Sequence, residues 1–372
     1  MEAWVVDRPG PADSGPLTRL ERPDPVPGPG QVLVRVIGCG VCRTDLHLAE
    51  GDLPPRRHRV VPGHEVVGRV EALGPGAVRF RVGDRVGVPW LARTDGTCRF
   101  CRTGAENLCM AGGVALNCVL NGRLRDQRIF RDVWVQPAAG DAGTALGAAL
   151  WIDWMENGRR REYRMDHAFL GPEYSPAEIE RFLLRSKLPF RPLDDVADEV
   201  SRLLAEDKVV GWFQGRMEFG PRALGGRSIL ASPLSASMQQ RLNEIKDRED
   251  FRPVAPVVLE EEAPLWFLNG ARSPFMLFVF DVLPHKADRI PAVKHVDGTA
   301  RVQTVSRDQH PLYYDLIKSF QRRTGVPVLV NTSFNTRGEP VVCTPRDAIE
   351  CFWTSPLDAL VIGSFLLEKR AP

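Results

Sequence analysis

No run of apolar residues in this chain of 372 approaches the ~20 needed to cross a bilayer, so no membrane segment is expected. The opening residues lack a cationic stretch followed by an apolar one, so no leader is expected and the expected compartment is cytoplasmic. Net charge is nearly absent as well. Lys and Arg number 49 against 47 Asp and Glu, and the resulting +2 excludes bulk attraction to nucleic acid or to a membrane surface. Neither is expected as a partner. A Gly-x-Gly-x-x-Gly between a strand and a helix is missing, as is an acidic residue placed to hold a ribose, which excludes a nicotinamide dinucleotide site. His-x-x-x-His is missing too. Cysteine is scarce over most of the chain. Six of the eight lie between Cys39 and Cys118, with only Cys343 and Cys351 beyond. In a chain expected in the cytosol, that clustering argues for metal before disulfides.

What is present is ordinary in bulk and unusual in places. Hydrophobic content of 43% and charged content of 26% fit a globular protein, and the length predicts two or three domains. The densest local signal is Gly215-Arg216-Met217-Glu218-Phe219-Gly220-Pro221-Arg222-Ala223-Leu224-Gly225-Gly226-Arg227-Ser228. Three arginines sit among glycines with no amphipathic period, so neither a surface helix nor an alternating strand fits. Glycine lets a backbone approach a ligand, and guanidinium forks grip phosphate or carboxylate oxygens bidentately. A solvated basic loop is the alternative. Lys246-Asp247-Arg248-Glu249-Asp250-Phe251-Arg252, then Arg301, then Asn331-Thr332-Ser333-Phe334-Asn335 favour an anion-binding cradle instead.

The first 109 residues are β-rich. Val5-Val6, Gln31 to Val36 and Glu65 to Val70 alternate or run β-branched between Gly and Pro punctuation. Cys42 follows one such strand, and His64-Glu65 opens another. A thiolate, an imidazole and a carboxylate from separate loops suit a catalytic zinc with one open position. Cys98, Cys101 and Cys109 have the spacing of a closed structural zinc loop, and Asp95 precedes them by three. The bland alternative, buried thiols and a satisfied imidazole, fits two ordered clusters poorly.

On Gly-Val-Cys-Arg-Thr-Asp-Leu-His, Pro-Gly-His-Glu, Gly83-Asp84-Arg85-Val86-Gly87 and the cysteine loop, residues 1–109 resemble the GroES-like domain of zinc-dependent medium-chain alcohol dehydrogenases. The resemblance implies Cys42 and His64 as catalytic zinc ligands with Glu65 beside them, and Cys98, Cys101 and Cys109 around structural zinc. Asp95 stands where that family usually has a cysteine. The third catalytic ligand and the Rossmann domain do not follow, so alcohol oxidation with NAD or NADP is not expected.

From Met110 the sequence changes character. Gly112-Gly113, Asn117 and Gly140-Asp141-Ala142-Gly143-Thr144-Ala145-Leu146-Gly147 read as turns around a nucleotide, with Asp141 able to hold a hard cation through oxygen. Tight structural turns are the alternative. Ser175-Pro176-Ala177-Glu178 predicts a capped helix to about Ser186, and a second helix is predicted from Asp194 or Asp195 to Glu206. Arg159-Arg160-Arg161 reads as a solvated linker. Beyond it, strands are predicted over 209–213, 253–259, 274–280, 326–330 and 359–362, with helices over 312–322 and after Thr344.

Residues 110–372 resemble the C-terminal part of the NodU/CmcH/TobZ family of O-carbamoyltransferases. The motifs are Gly-Gly-Val-Ala-Leu-Asn, Pro-Ala-Ala-Gly-Asp-Ala-Gly-Thr-Ala-Leu-Gly, Glu-Phe-Gly-Pro-Arg-Ala-Leu-Gly-x-Arg-Ser, Phe-Arg-Pro-Val-Ala-Pro, His295 to Arg301, and Asn-Thr-Ser-Phe-Asn. The resemblance implies a mixed fold in three parts. These are a truncated GroES-like fragment (1–109), the remnant of an actin/hsp70-like lobe with a linker (110–193), and a YrdC-like α/β domain (194–372). It places Lys246, Arg252, Arg301, Ser333, Asn335 and Arg222 around a carbamoyladenylate made from ATP and carbamoyl phosphate. Asn117 and Asp141 fall to the actin-like site, Asp141 as a ligand of iron or magnesium. The implied acceptor is a hydroxyl of an antibiotic or oligosaccharide. Because the first lobe has no counterpart here, partial activity is expected; the alternative is an inactive fusion that keeps only a zinc-binding domain.

Overall fold

The computed structural model describes residues 1–11, 14–40, 43–52, 59–63, 65–88, 113–128, 133–140, 142–157, 165–336 and 338–369. They fall into two compact units, Met1–Glu106 and Asn107–Pro372.

In the first unit, β1 (Glu2–Val6) pairs antiparallel with β2 (Leu17–Glu21). Ala3 and Val5 point inward while Trp4 between them is exposed, the two-residue period of a half-buried strand. A three-stranded antiparallel sheet follows, β3 (Val32–Gly40), β4 (Glu65–Leu73) and β5 (Arg85–Val88) in that order, with α1 (Arg43–Glu50) after β3. Register shifts at Leu33/Val34 and Val36/Gly38 interrupt the β3–β4 ladder. Between them a Cβ on Gly68 would stand 2.5 Å from the Arg35 carbonyl oxygen, so only glycine fits that approach. Glu65 opens β4 opposite Gly40. Cys42, His64, Asp95, Cys98, Cys101 and Cys109 lie outside the described residues, as does the Glu65 side chain.

The second unit begins with a short 3₁₀ turn, Gly113–Leu116, then α2 (Cys118–Asp126) and α3 (Ala142–Asn157). Residues 142–147, read in sequence as nucleotide-binding turns, are therefore helix. The turn stops at Gly140, and a good helix former, alanine, starts the run. Then come α4 (Pro176–Ser186), β6 (Arg191–Pro192) and α5 (Val196–Ala205). Ser175 and Glu178 close the expected capping box, worth about 1 kcal/mol. The rest alternates strands and helices. β7 (Val210–Phe213), β8 (Arg227–Ala231), α6 (Ser237–Ile245), β9 (Ala255–Leu259) and the single turn α7 (Ala263–Trp266) come first. β10 (Val279–Asp281), β11 (Thr299–Arg301), β12 (Gln303–Val305), α8 (Pro311–Thr324), β13 (Val328–Ser333), α9 (Pro345–Thr354), β14 (Ala359–Ile362) and β15 (Phe365–Glu368) complete it.

Eight of these strands form one mixed sheet in the order β12-β9-β13-β8-β7-β14-β15-β6. Only β12/β9 and β14/β7 are parallel. Every residue of β7, β8, β9 and β14 is buried, which is why those segments read as continuous apolar runs rather than alternating ones. The expected strand over 274–280 shrinks to β10, because Phe275, Met276 and Leu277 serve a separate small core with Ala115, Val135 and Met165. Among the described residues, no helix is long and apolar enough to cross a membrane.

Candidate functional site

The loop between β7 and β8 carries the arginine-rich motif, and buried polar groups fix it. Glu218 Oε1 accepts the backbone amides of Leu224 and Gly226, each at 2.7 Å, and of Arg227 at 3.2 Å. From the sheet beneath, Asn331 Nδ2 donates to the Ala223 carbonyl at 3.1 Å and to Gln303 Oε1 at 2.7 Å. Gln303 Nε2 donates to the Leu224 carbonyl at 2.7 Å, and Trp212 Nε1 to the Gly225 carbonyl at 2.7 Å. Gly225 has φ +114°, and a Cβ there would stand 2.4 Å from the Tyr313 ring. Each donor saturates a carbonyl or amide that burial would otherwise penalise by roughly 1–3 kcal/mol.

The three arginines of that motif part company. Arg227 is wholly buried and spends Nη1 on the carbonyls of Gln214, Gly215 and Gly226 at 3.0–3.1 Å and Nη2 on Pro172 at 3.2 Å. Arg216 is exposed and reaches the Leu170 carbonyl at 3.3 Å. Arg222 spends the least of its guanidinium: among the described residues its side chain makes one long hydrogen bond, Nη2 to Leu116 O at 3.5 Å, and its buried Nε, like that of Arg227, has no partner.

Arg222 is joined by Arg301, at the end of β11, and by Arg248, just past α6. Arg301 is driven down to about 10 by burial and then by the positive charge of Arg222 and Arg248. Burial likewise lowers Arg222 and Arg248. Among the described residues, no carboxylate forms an ion pair with Arg222 or Arg301. Asn243, fully buried on α6, accepts Arg248 Nε on its Oδ1 at 2.6 Å and donates Nδ2 to the carbonyls of Asp250 and Arg252. Arg248 Nη2 is left buried and unpartnered.

Lys246 stands beside this group as the C-cap of α6. Its Nζ donates to Ser333 O at 2.7 Å, Asn335 Oδ1 at 2.7 Å, Asn335 O at 3.0 Å and Ser333 Oγ at 3.2 Å. Ser333 Oγ in turn donates to Asn335 Oδ1 at 2.7 Å, and Asn335 Nδ2 to Glu339 O at 2.7 Å. Burial, with Arg248 adding to it, brings the Lys246 ammonium down to about 7. Four side chains expected together from sequence, Arg222, Lys246, Ser333 and Asn335, are thus tied by geometry or charge to Arg301 and Arg248. Arg252 stands at the rim: its charge lowers Arg248, but its own guanidinium is exposed and paired with Glu249 at 2.7 Å.

Sequence reasoning included Arg248 in its basic stretch without singling it out, and passed over Asn243. The available signal was the cation two residues after Lys246, in a segment too short to show a period. It also grouped Asn331 with the ligand turn, whereas Asn331 is buried in β13 and props the loop backbone. The remaining expected residues are scattered. Gly113 opens the 3₁₀ turn, and Gly112 and Asp141 lie outside the described residues. Asn117 is exposed and caps α2, its Oδ1 accepting Leu120 N–H at 3.1 Å. Its neighbour Cys118 lies near both Arg222 and Arg301. No cluster of three metal-ligating side chains occurs among the described residues.

Converging cations with unused buried N–H groups have the chemistry that suits a multiply charged anion. Residues 201–369 match the model for the carbamoyltransferase C-terminus, and residues 28–138 that for the alcohol dehydrogenase GroES-like domain. Nodulation protein NolO of Bradyrhizobium diazoefficiens is 48% identical over 72% of this chain and 50% of its own. For nodulation protein NolNO of Sinorhizobium fredii the figures are 48%, 72% and 40%, and for nodulation protein U of that organism 39%, 67% and 43%. The chain thus spans half or less of the length of these relatives. Solved structures match a smaller part. AibC is 38% identical over 29% of this chain and 30% of that one with a TM-score of 0.26. A cinnamyl alcohol dehydrogenase of Sorghum bicolor is 37% identical over the same shares, at 0.24.

Proposed function

With a carbamoyltransferase C-terminal region over residues 201–369 as the premise, we propose that this unit activates a carbamoyl group for transfer to a hydroxyl. The substrates are ATP and carbamoyl phosphate, and the product of the first step is carbamoyladenylate. In that step the α-phosphorus of ATP gains a bond to a carbamoyl oxygen and loses its bond to pyrophosphate, while water takes up the phosphate of carbamoyl phosphate. The second step places the carbamoyl carbon on an acceptor hydroxyl oxygen and releases AMP. The acceptor is a small molecule of antibiotic or oligosaccharide type.

The observation that carries this reading is the buried, unpartnered nitrogen on both Arg222 and Arg248, beside an Arg301 whose charged neighbours are those two cations. Pentavalent phosphorus gathers negative charge as pyrophosphate leaves. Fixed cations in a water-poor pocket stabilise that charge more than water does, because they need no reorganisation. In the proposal Arg222, Arg248 and Arg301 hold phosphoryl oxygens, and Arg252 lends charge from the rim. Ser333 and Asn335 orient Lys246 and the carbamoyl amide. The GroES-like unit is proposed to hold zinc at Cys98, Cys101, Cys109 and Asp95, with Cys42, His64 and Glu65 forming a weaker site.

The experiment is carbamoyl-phosphate-dependent release of pyrophosphate from ATP by the full chain. Arg301→Ala or Arg252→Ala is expected to remove about 2–4 kcal/mol of transition-state stabilisation, the scale of losing one preorganised charge contact. Folded protein that releases no pyrophosphate would overturn the proposal.

A further inference from the structure

α6 carries two amide side chains four residues apart, Gln239 and Asn243, and so on one face. Both reach past the end of the helix to the loop that follows it. Gln239 Nε2 donates to the Arg252 carbonyl at 3.1 Å. Asn243 Nδ2 donates to the same carbonyl at 3.0 Å and to that of Asp250 at 2.8 Å. The Asn243 carbonyl also takes the Arg248 amide at 3.0 Å. Residues 248–252 are thus laced back onto the helix, and Asp247, at φ +44°, makes the bend between them.

Asn243 differs from Gln239 in one contact. Its Oδ1 accepts Arg248 Nε at 2.6 Å, the only side-chain hydrogen bond of Arg248 among the described residues. A guanidinium has two kinds of edge that match a pair of phosphate oxygens: Nε with one Nη, and Nη1 with Nη2. With Nε held by a fully buried amide, the second edge is the one that remains. Nη2 on that edge is buried without a partner, and Arg301 and Arg222 are the neighbouring cations. The choice of an amide matters as well. A carboxylate at this place would hold Nε equally but would offset the positive charge, whereas a neutral oxygen aims the cation and leaves its charge whole.

We propose that Asn243 is a positioning residue that turns the Nη1–Nη2 edge of Arg248 toward the phosphate oxygens of the bound substrate. The identity of that substrate rests on the carbamoyl-transfer reading above; the aiming of Arg248 at a polyphosphate does not.

The test is a double-mutant cycle on the full chain, read by calorimetry of inorganic pyrophosphate binding, with circular dichroism to confirm folding. Asn243→Leu and Arg248→Met should each weaken binding about tenfold. If Asn243 acts through Arg248, the double variant should also lose about tenfold rather than about a hundredfold. Gln239→Leu, which removes a contact to the same loop but none to Arg248, should bind within about twofold of wild type. Additive losses in the cycle, or a Gln239→Leu defect as large as that of Asn243→Leu, would reduce Asn243 to a prop of the loop and overturn the proposal. Should Asn243→Leu fail to fold, arginine side-chain NMR of the wild type decides. The Arg248 Nε–H, assigned by its loss in Arg248→Met, should exchange with solvent at least about tenfold more slowly than that of exposed Arg216, with and without pyrophosphate. Equal rates overturn the proposal. Asn243→Asp should keep that protection yet bind pyrophosphate about tenfold more weakly; undiminished binding would remove the argument from charge and overturn the choice of an amide. Wild-type protein that binds pyrophosphate but releases none from ATP keeps the positioning role and removes the catalytic reading, and wild-type protein that binds no pyrophosphate overturns the positioning role.

Discussion

The guanidinium of Arg227 lies 3.6 Å from the centre of the Phe213 ring, flat against the strand that leads into its own loop. Phe213 ends β7 and Arg227 begins β8, and the two residues are cross-strand partners. The cation thus closes the neck of the loop, and its N–H groups saturate carbonyls on both sides of that neck. Of three arginines in one motif, one is architecture, one is solvated, and one, Arg222, keeps most of its guanidinium unspent among the described residues.

Removing Arg227 should therefore act on stability before chemistry. Arg227→Met strands the carbonyls of Gln214 and Gly215, takes one of two donors from those of Gly226 and Pro172, and gives up the ring contact, at a cost of about 3 kcal/mol. Arg216→Ala, in contrast, should stay within about 0.5 kcal/mol. Urea unfolding of the two variants separates these outcomes, and equal midpoints would refute the assignment.

Glu218 gives the loop a second anchor. Glu218→Ala removes the acceptor of three backbone amides and should cost about 2–3 kcal/mol. Glu218→Gln keeps an acceptor oxygen and should retain much of that stability. Thermal denaturation checks the order: wild type first, Gln next, Ala last.

How much of this was readable beforehand depended on locality. Ser175, Asp195 and Thr344 advertised their helices because a cap and its partner lie three residues apart, and all three accept the expected amide. Lys246 and Asn335 are 89 residues apart, yet their motifs placed them together by resemblance. What no pattern showed was which cations would be spent. The fates of Arg227 and Arg222 differ through the carbonyls of Pro172 and Gly215, which take up the Nη groups of Arg227 while Arg222 has one long contact to Leu116. α3 misled for a related reason: its glycines and alanines suit turns and close-packed helices equally.

Lys246 makes ligand affinity depend on pH. Burial sets its ammonium near 7 in the empty site, against 10.5 for a free lysine. Between those values the unfolded chain binds a proton that the native chain lacks, so this group makes stability rise with pH across that window. A bound anion favours the charged form, so binding takes up a proton above pH 7 and affinity falls as pH climbs. Calorimetry of ATP binding over about pH 7.5–9.5, where phosphate oxygens are already fully ionised, should show this decline. Lys246→Met should flatten it. Wild-type affinity that is level over the same range would place the anion away from Lys246.

In the first unit the proposed zinc site has its own check. Metal analysis of the purified chain should find up to one zinc per molecule, held by the cysteine loop. Cys98→Ser combined with Cys101→Ser should release it, whereas Cys42→Ser should release little. A double variant that retains all its zinc would locate the metal elsewhere.

Arg301 sets binding against stability. Among the described residues it has no hydrogen bond, it is hemmed in, and its charged neighbours are Arg222 and Arg248. A half-buried cation among cations is a cost to the empty protein, and under the proposed function a bound anion would relieve it. Arg301→Met keeps the volume of the stem and removes the charge, so the ligand-free chain should become more stable by about 1–2 kcal/mol. The same variant should lose ATP-dependent stabilisation and pyrophosphate release. Denaturant melts with and without ATP read both effects in one experiment. A variant that is less stable when empty would make Arg301 a structural residue like Arg227, and the anion site would then have to be rebuilt around Arg222 and Arg248 alone.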